Sequence, residues 1–205
     1  FGKTLDGNVK YFSYLAIGIT LWNCIADSMS IGSKFILDSA NQILNTTCSL
    51  RSIFLRKFFY ICQNLLIGLF SILLVISFVN SQLISNYLNL ILPLLIFLLF
   101  NLLIILYFSF IGCLIRDFAE LVPLLTTIIF LGSPILYPAS RLENLAWITD
   151  FNIPYIILNL VRRTILTGEV DYLQCFIVLF IQIIILISTF LFLESKRSKI
   201  ALLCD

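Results

Sequence analysis

Residues 58–115 carry no charged side chain. As one helix this run is ~87 Å long at ~1.5 Å per residue, almost three times the ~30 Å hydrocarbon core of a bilayer, so it turns at least once. Asn80, Ser81, Gln82, Ser85 and Asn86 are the polar cluster that predicts the turn. Uncharged runs bounded by charge predict helices over residues 11–26, 58–79, 87–115, 121–138 and 172–193. The first run falls just short of the ~17 to 25 residues a spanning helix needs, and it continues through residue 30 as a helix leaving the bilayer. Tyr11 and Trp22 suit the interfacial belts. The expectation is an all-α membrane protein with five spans here and a short helix around residues 39–44.

The segment 139–171 is not composed like a solvated loop. Residues 153–161 are uncharged, interrupted by Pro154 and Asn159 and followed by Arg162 and Arg163. An apolar stretch too short to span reads as re-entrant or interfacial. Two arrangements remain open. One is a re-entrant segment beside a protein-lined or water-filled cavity near the outer face; the other is an amphipathic helix on the headgroups, with both arginines snorkelling to phosphate.

Lysines and arginines stay preferentially in the cytoplasm when loops are short. Lys34, Arg51, Arg56, Lys57, Arg116, Lys196, Arg197 and Lys199 share one side in the five-span arrangement. The tail and residues 31–57 are therefore expected inside, and residues 139–171 outside. Phe1 then starts externally, and the single methionine is Met29. An earlier span is expected, six in the complete protein.

Composition agrees: 60% of residues are hydrophobic and 12% charged, with a mean hydropathy of +1.07. A net charge of +2 without a basic stripe argues against nucleic acid. The six cysteines have no close pair and read as apolar packing residues, with neither disulfide nor metal. There is no histidine and no phosphate-binding G-x-x-x-x-G-K-[ST] loop, because Gly32-Ser33-Lys34 lacks the upstream glycine. No cofactor site is read. Within the predicted spans the polar residues are Asn23, Gln63, Asn64, Asn101, Thr126, Thr127 and Gln182, for which interhelical hydrogen bonds are expected. Asp27, Asp117 and Glu120 fall at predicted cytoplasmic ends, pairing with Arg116 or capping a helix. A conduit without titratable groups at membrane depth is passive or driven by another subunit; the long segment 31–57 fits the second.

Tyr14 to Asn23, Gln63 to Ile67, Ile115-Arg116-Asp117, Gly132-Ser133-Pro134-Ile135-Leu136-Tyr137, and Asn152 followed by Leu160-Val161-Arg162 resemble, in order and spacing, the permease subunit of ABC type-2 exporters of bacterial surface polysaccharide. The resemblance covers essentially the whole chain and begins after the family's first span. It implies a homodimer of six-span subunits in the bacterial cytoplasmic membrane. Such a dimer moves a lipid-linked O-antigen, capsule or teichoic acid type glycan, and its work comes from a separate cytoplasmic ATP-binding subunit. The chain itself would then be no enzyme. By the same resemblance Ser39, Ala40, Asn41, Gln42, Ile43, Leu44 and Asn45 couple to the ATPase. Arg116 and Asp117 form a cytoplasmic turn. Pro134, Asn152, Pro154 and Arg162 belong to a gate, while Tyr137, Trp147 and Tyr155 either line the glycan path or act as interfacial anchors. Ile153 separates Asn152 from Pro154, which the family has adjacent, and Asn159 stands where an acid is usual. The alternatives are a type-2 permease for a drug or lipid, and a non-transporting or decayed membrane subunit.

Overall fold

The computed structural model describes residues 5–45, 50–79, 87–115, 117–137, 149 and 151–195, and among these the regular structure is entirely helical. In chain order the helices are α1 (Leu5–Asn45), α2 (Leu50–Val79), α3 (Ile91–Leu114), α4 (Phe118–Gly132), α5 (Ile153–Thr167) and α6 (Tyr172–Ser195). A single 3₁₀ stretch at residues 87–90 leads into α3. Four segments are long and apolar enough to cross a membrane: Tyr11–Phe35, Ser52–Phe78, Tyr87–Leu114 and Tyr172–Thr189. Phe118–Gly132 is a shorter apolar helix.

Helix α1 departs from the sequence expectation. No glycine or proline interrupts residues 33–45, so the helix continues unbroken and Ser39 to Asn45 form its last turns rather than a separate short helix. Two consequences follow. Asp27 lies inside the apolar segment Tyr11–Phe35, not at its end. Trp22 lies near the middle of the same segment, 5% exposed, with its ring 5.6 Å from that of Phe130, so it is a core residue and not an interfacial anchor.

The core forms where α1 lies against α3. Ile17, Leu21 and Ile25 recur on one face of α1, and Ile96, Phe97 and Ile105 are fully enclosed on α3. A Cβ at Gly112 would overlap the Ser33 carbonyl oxygen, so the missing side chain lets the two backbones approach closely. The Ser28 hydroxyl donates to Asn101 Oδ1 at 2.8 Å, and Asn101 Nδ2 donates to the Phe97 carbonyl at 2.8 Å. This is the expected interhelical bonding, met at Asn101, whose buried carboxamide is satisfied; Thr126 and Thr127 donate instead to the Pro123 carbonyl of their own helix, and the buried Gln182 carboxamide has no partner among the described residues. Cys24 and Cys175 are buried free thiols, consistent with packing roles. Helix α6 packs on α3 and turns Phe176, Ile177, Phe180, Ile181 and Ile184 outward. A continuous apolar face of that size suits lipid rather than water.

Helix α4 ends at Gly132, short of the predicted boundary at residue 138. Pro134 disfavours helical geometry in the residue before it, and Ser133 is extended, with φ −99 and ψ 141. Its hydroxyl donates back to the Ile129 carbonyl at 2.6 Å and closes the last turn. At ~1.5 Å per residue the helix is about 22 Å long, shorter than the hydrocarbon core. Asp117 stands at its N-cap without a side-chain cap bond. Arg116, its expected partner, lies outside the described residues.

Candidate functional site

Residues 133–137, which follow α4, are not helical, and their carbonyl oxygens need donors from elsewhere. The Ser133 carbonyl accepts from the Ile135 N–H at 2.7 Å, and side chains supply the others. Tyr14 Oη lies 3.0 Å from the Pro134 carbonyl and 3.1 Å from that of Tyr137, so one hydroxyl proton serves both. Tyr11 Oη donates to the Leu136 carbonyl at 3.3 Å. Arg162 donates through Nη2 to the Ile135 carbonyl at 3.3 Å and through Nη1 to the Pro134 carbonyl at 3.5 Å. Donors from α1 and α5 thus satisfy backbone that would otherwise require water.

Helix α5 delivers Arg162 because of how it begins and which face it buries. Asn152 caps it, with Oδ1 accepting from the Tyr155 N–H at 3.0 Å, and Pro154 occupies the first turn, where a missing N–H costs nothing. The Asn152 amide also donates to Ser133 Oγ at 2.7 Å, tying the start of α5 to the end of α4. At the other end Gly168 takes the left-handed conformation, φ 74, and its N–H donates to the Thr164 carbonyl. Tyr155, Leu158, Arg162 and Ile165 recur on one face, all buried against α1 and α3.

Arg162 is 1% exposed. Its guanidinium carbon lies 3.9 Å from the centre of the Tyr14 ring, a cation–π contact in a desolvated setting. The space for it exists because residue 18 is glycine: a Cβ there would overlap the guanidinium. Nε has no hydrogen-bond partner among the described residues. No carboxylate pairs with Arg162 among the described residues, so the cation is held by a ring face and two long carbonyl contacts. Since a guanidinium keeps its charge, this is a costly group to bury and its surroundings are built around it.

The neighbouring Arg163 points the other way. It forms an exposed ion pair with Glu169 at 2.6 Å, and that carboxylate raises the Arg163 pKa by hydrogen bond and charge. The two arginines do not both snorkel: one is enclosed by protein and one is solvated.

Of the residues singled out in the sequence, Pro134, Tyr137, Asn152, Pro154, Tyr155 and Arg162 come together here. Tyr137 contributes its carbonyl, with its side chain half-buried. Trp147 lies outside the described residues. Ser39 to Asn45 stand far along α1, about 38 Å from Tyr14 to Ser39 at ~1.5 Å per residue. Tyr14, Gly18 and Ser133 were not chosen as site residues. The signal for them was periodic: Tyr155, Leu158, Arg162 and Ile165 at i, i+3, i+7 and i+10 place the arginine on the apolar face, and a buried cation calls for an aromatic face and a residue without a side chain beside it.

No protein-family model matches the chain, and no curated protein matches it. The fold itself defines an all-helical protein whose long apolar helices are those of a multi-pass membrane protein.

Proposed function

We propose that this chain is the permease subunit of an ATP-driven ABC type-2 exporter, acting as a homodimer that moves a lipid-linked surface glycan across the bacterial cytoplasmic membrane. The observation that supports this reading is the convergence on Arg162. Residues 14–18, 132–137 and 152–162 are three of the five segments that carried the sequence resemblance, and they meet at one buried cation. A helix too short to span, docked through a buried arginine onto the non-helical end of the short apolar helix α4, suits a gate. The aromatic side chains of Tyr14 and Tyr155 stand beside it, where a sugar ring could stack once the cradle opens.

Asp27 lies within the first apolar segment, so the reading does not rest on a want of titratable groups along the helices. What supports a separate ATPase is the lack of any phosphate-binding loop in the sequence together with the resemblance. The end of α1, residues 39–45, is then the surface the ATPase pushes.

The test is reconstitution in liposomes with a cognate nucleotide-binding subunit. Stimulated ATP turnover and glycan movement are expected. Unchanged turnover on adding the permease would overturn the assignment.

A further inference from the structure

A second constellation lies away from the arginine, in a cleft between α1 and α2 of about 240 Å³ lined by Thr20, Asn23, Asp27, Asn64, Ile61 and Gly68, among others. Thr20, Asn23 and Asp27 recur at i, i+3 and i+7 on one face of α1, and Asn64 and Gly68 at i and i+4 face them from α2. Asn23 is midway along the apolar segment Tyr11–Phe35, and Asn64 is beside the midpoint of Ser52–Phe78. Asp27 is about 6 Å further along the α1 axis. A polar cleft with a carboxylate therefore opens near the centre of two segments otherwise suited to hydrocarbon.

These groups are unspent. The Thr20 hydroxyl donates to the Ala16 carbonyl at 3.0 Å, which leaves its lone pairs free for the cleft. The side chains of Asn23, Asp27 and Asn64 form no hydrogen bond or ion pair among the described residues. No lysine or arginine lines the cleft among the described residues. Ionisable groups at membrane depth face a protein interior or a water-filled cavity, and they are balanced by a partner of opposite charge.

We propose that this cleft binds a monovalent alkali cation, held by the Asp27 carboxylate, the carboxamide oxygens of Asn23 and Asn64, and the Thr20 hydroxyl. Hard cations take oxygen ligands of this kind. The charge sets the valence: one carboxylate and no base neutralise one positive charge, whereas a divalent ion leaves an excess. At ~30 Å³ per water the cleft holds about eight waters, so the ion enters partly hydrated and Gly68 keeps the wall open. The proposal does not depend on the exporter reading and uses no ATPase for its test.

The experiment is the melting temperature of the purified chain in nanodiscs, titrated with NaCl or KCl against N-methyl-D-glucamine chloride at constant ionic strength. A saturable rise with at least one alkali cation is expected. Asp27→Asn removes the response, and Thr20→Val raises the half-saturating concentration on the order of tenfold, the equivalent of one lost ligand interaction. If Asp27→Asn fails to fold, wild type and Thr20→Val decide between them. Equal Tm in all three salts, or an undiminished response in Asp27→Asn, overturns the proposal. So does a cation-independent rise with a neutral pyranose, which would assign the cleft to hydroxyl groups.

Discussion

The guanidinium of Arg162 sits 3.9 Å over the ring of Tyr14, and the hydroxyl of that same tyrosine meets the carbonyls of Pro134 and Tyr137. One side chain thus holds the cation with its face and the broken end of α4 with its edge. The two roles separate by substitution. Tyr14→Phe keeps the ring and is expected to lose about 1 kcal/mol; Tyr14→Leu loses the cation–π contact as well, about 2 kcal/mol more. Denaturant titration in detergent checks the order, and equal losses would show that the ring face contributes nothing.

Gly18 leaves the space that the guanidinium occupies. Gly18→Ala is expected to destabilise by about 1–3 kcal/mol through overpacking. In an Arg162→Ala background the same change finds that space empty, so the double variant loses less than the sum of the singles. Gly132→Ala is the control, since nothing lies within 4 Å of the added methyl; its melting temperature should be unchanged or higher.

Adjacent arginines should respond oppositely. Arg162→Ala strands the Ile135 carbonyl and opens a cavity, an expected loss of about 3 kcal/mol. Arg163→Ala removes a solvated ion pair whose partners are both more than half exposed, and little change in melting is expected. On the exporter reading proposed above, a cell-surface glycan assay should show export failing with Arg162→Ala and persisting with Arg163→Ala; equal export by the two would separate the cradle from the gate.

Asn152 both caps α5 and donates to Ser133. Asn152→Asp preserves the acceptor for the Tyr155 N–H and loses the donor to Ser133, while Asn152→Ala loses both. The expected order of melting is wild type, then Asp, then Ala, the last about 1 kcal/mol or more below wild type. An Ala variant as stable as wild type would mean that neither bond matters.

Charge and hydropathy were enough to read the long helices, because a lysine or aspartate in hydrocarbon costs more than any local preference recovers. The run from Phe58 and the run before Arg116 therefore map onto α2 and α3. The same rule closed the first run at Ala26, ahead of Asp27, whereas the apolar segment of α1 runs on to Phe35. It also carried α4 to residue 138, because it counts apolar residues and not the effect of Pro134 on Ser133. At the arginine cradle, Pro134, Asn152 and Arg162 were legible as a set only through resemblance. That Tyr14 and Gly18 complete it is a tertiary fact, for they lie more than a hundred residues away in the chain.

Helix α2 joins the rest mainly along α1, whereas α1, α3 and α5 touch one another. The three form a keel, and α2 is an outrigger attached along one seam. The cleft with Asp27 lies in that seam, so any occupant is positioned to set the tilt of α2 while the keel, pinned by Ser28 to Asn101 and by Arg162, stays still.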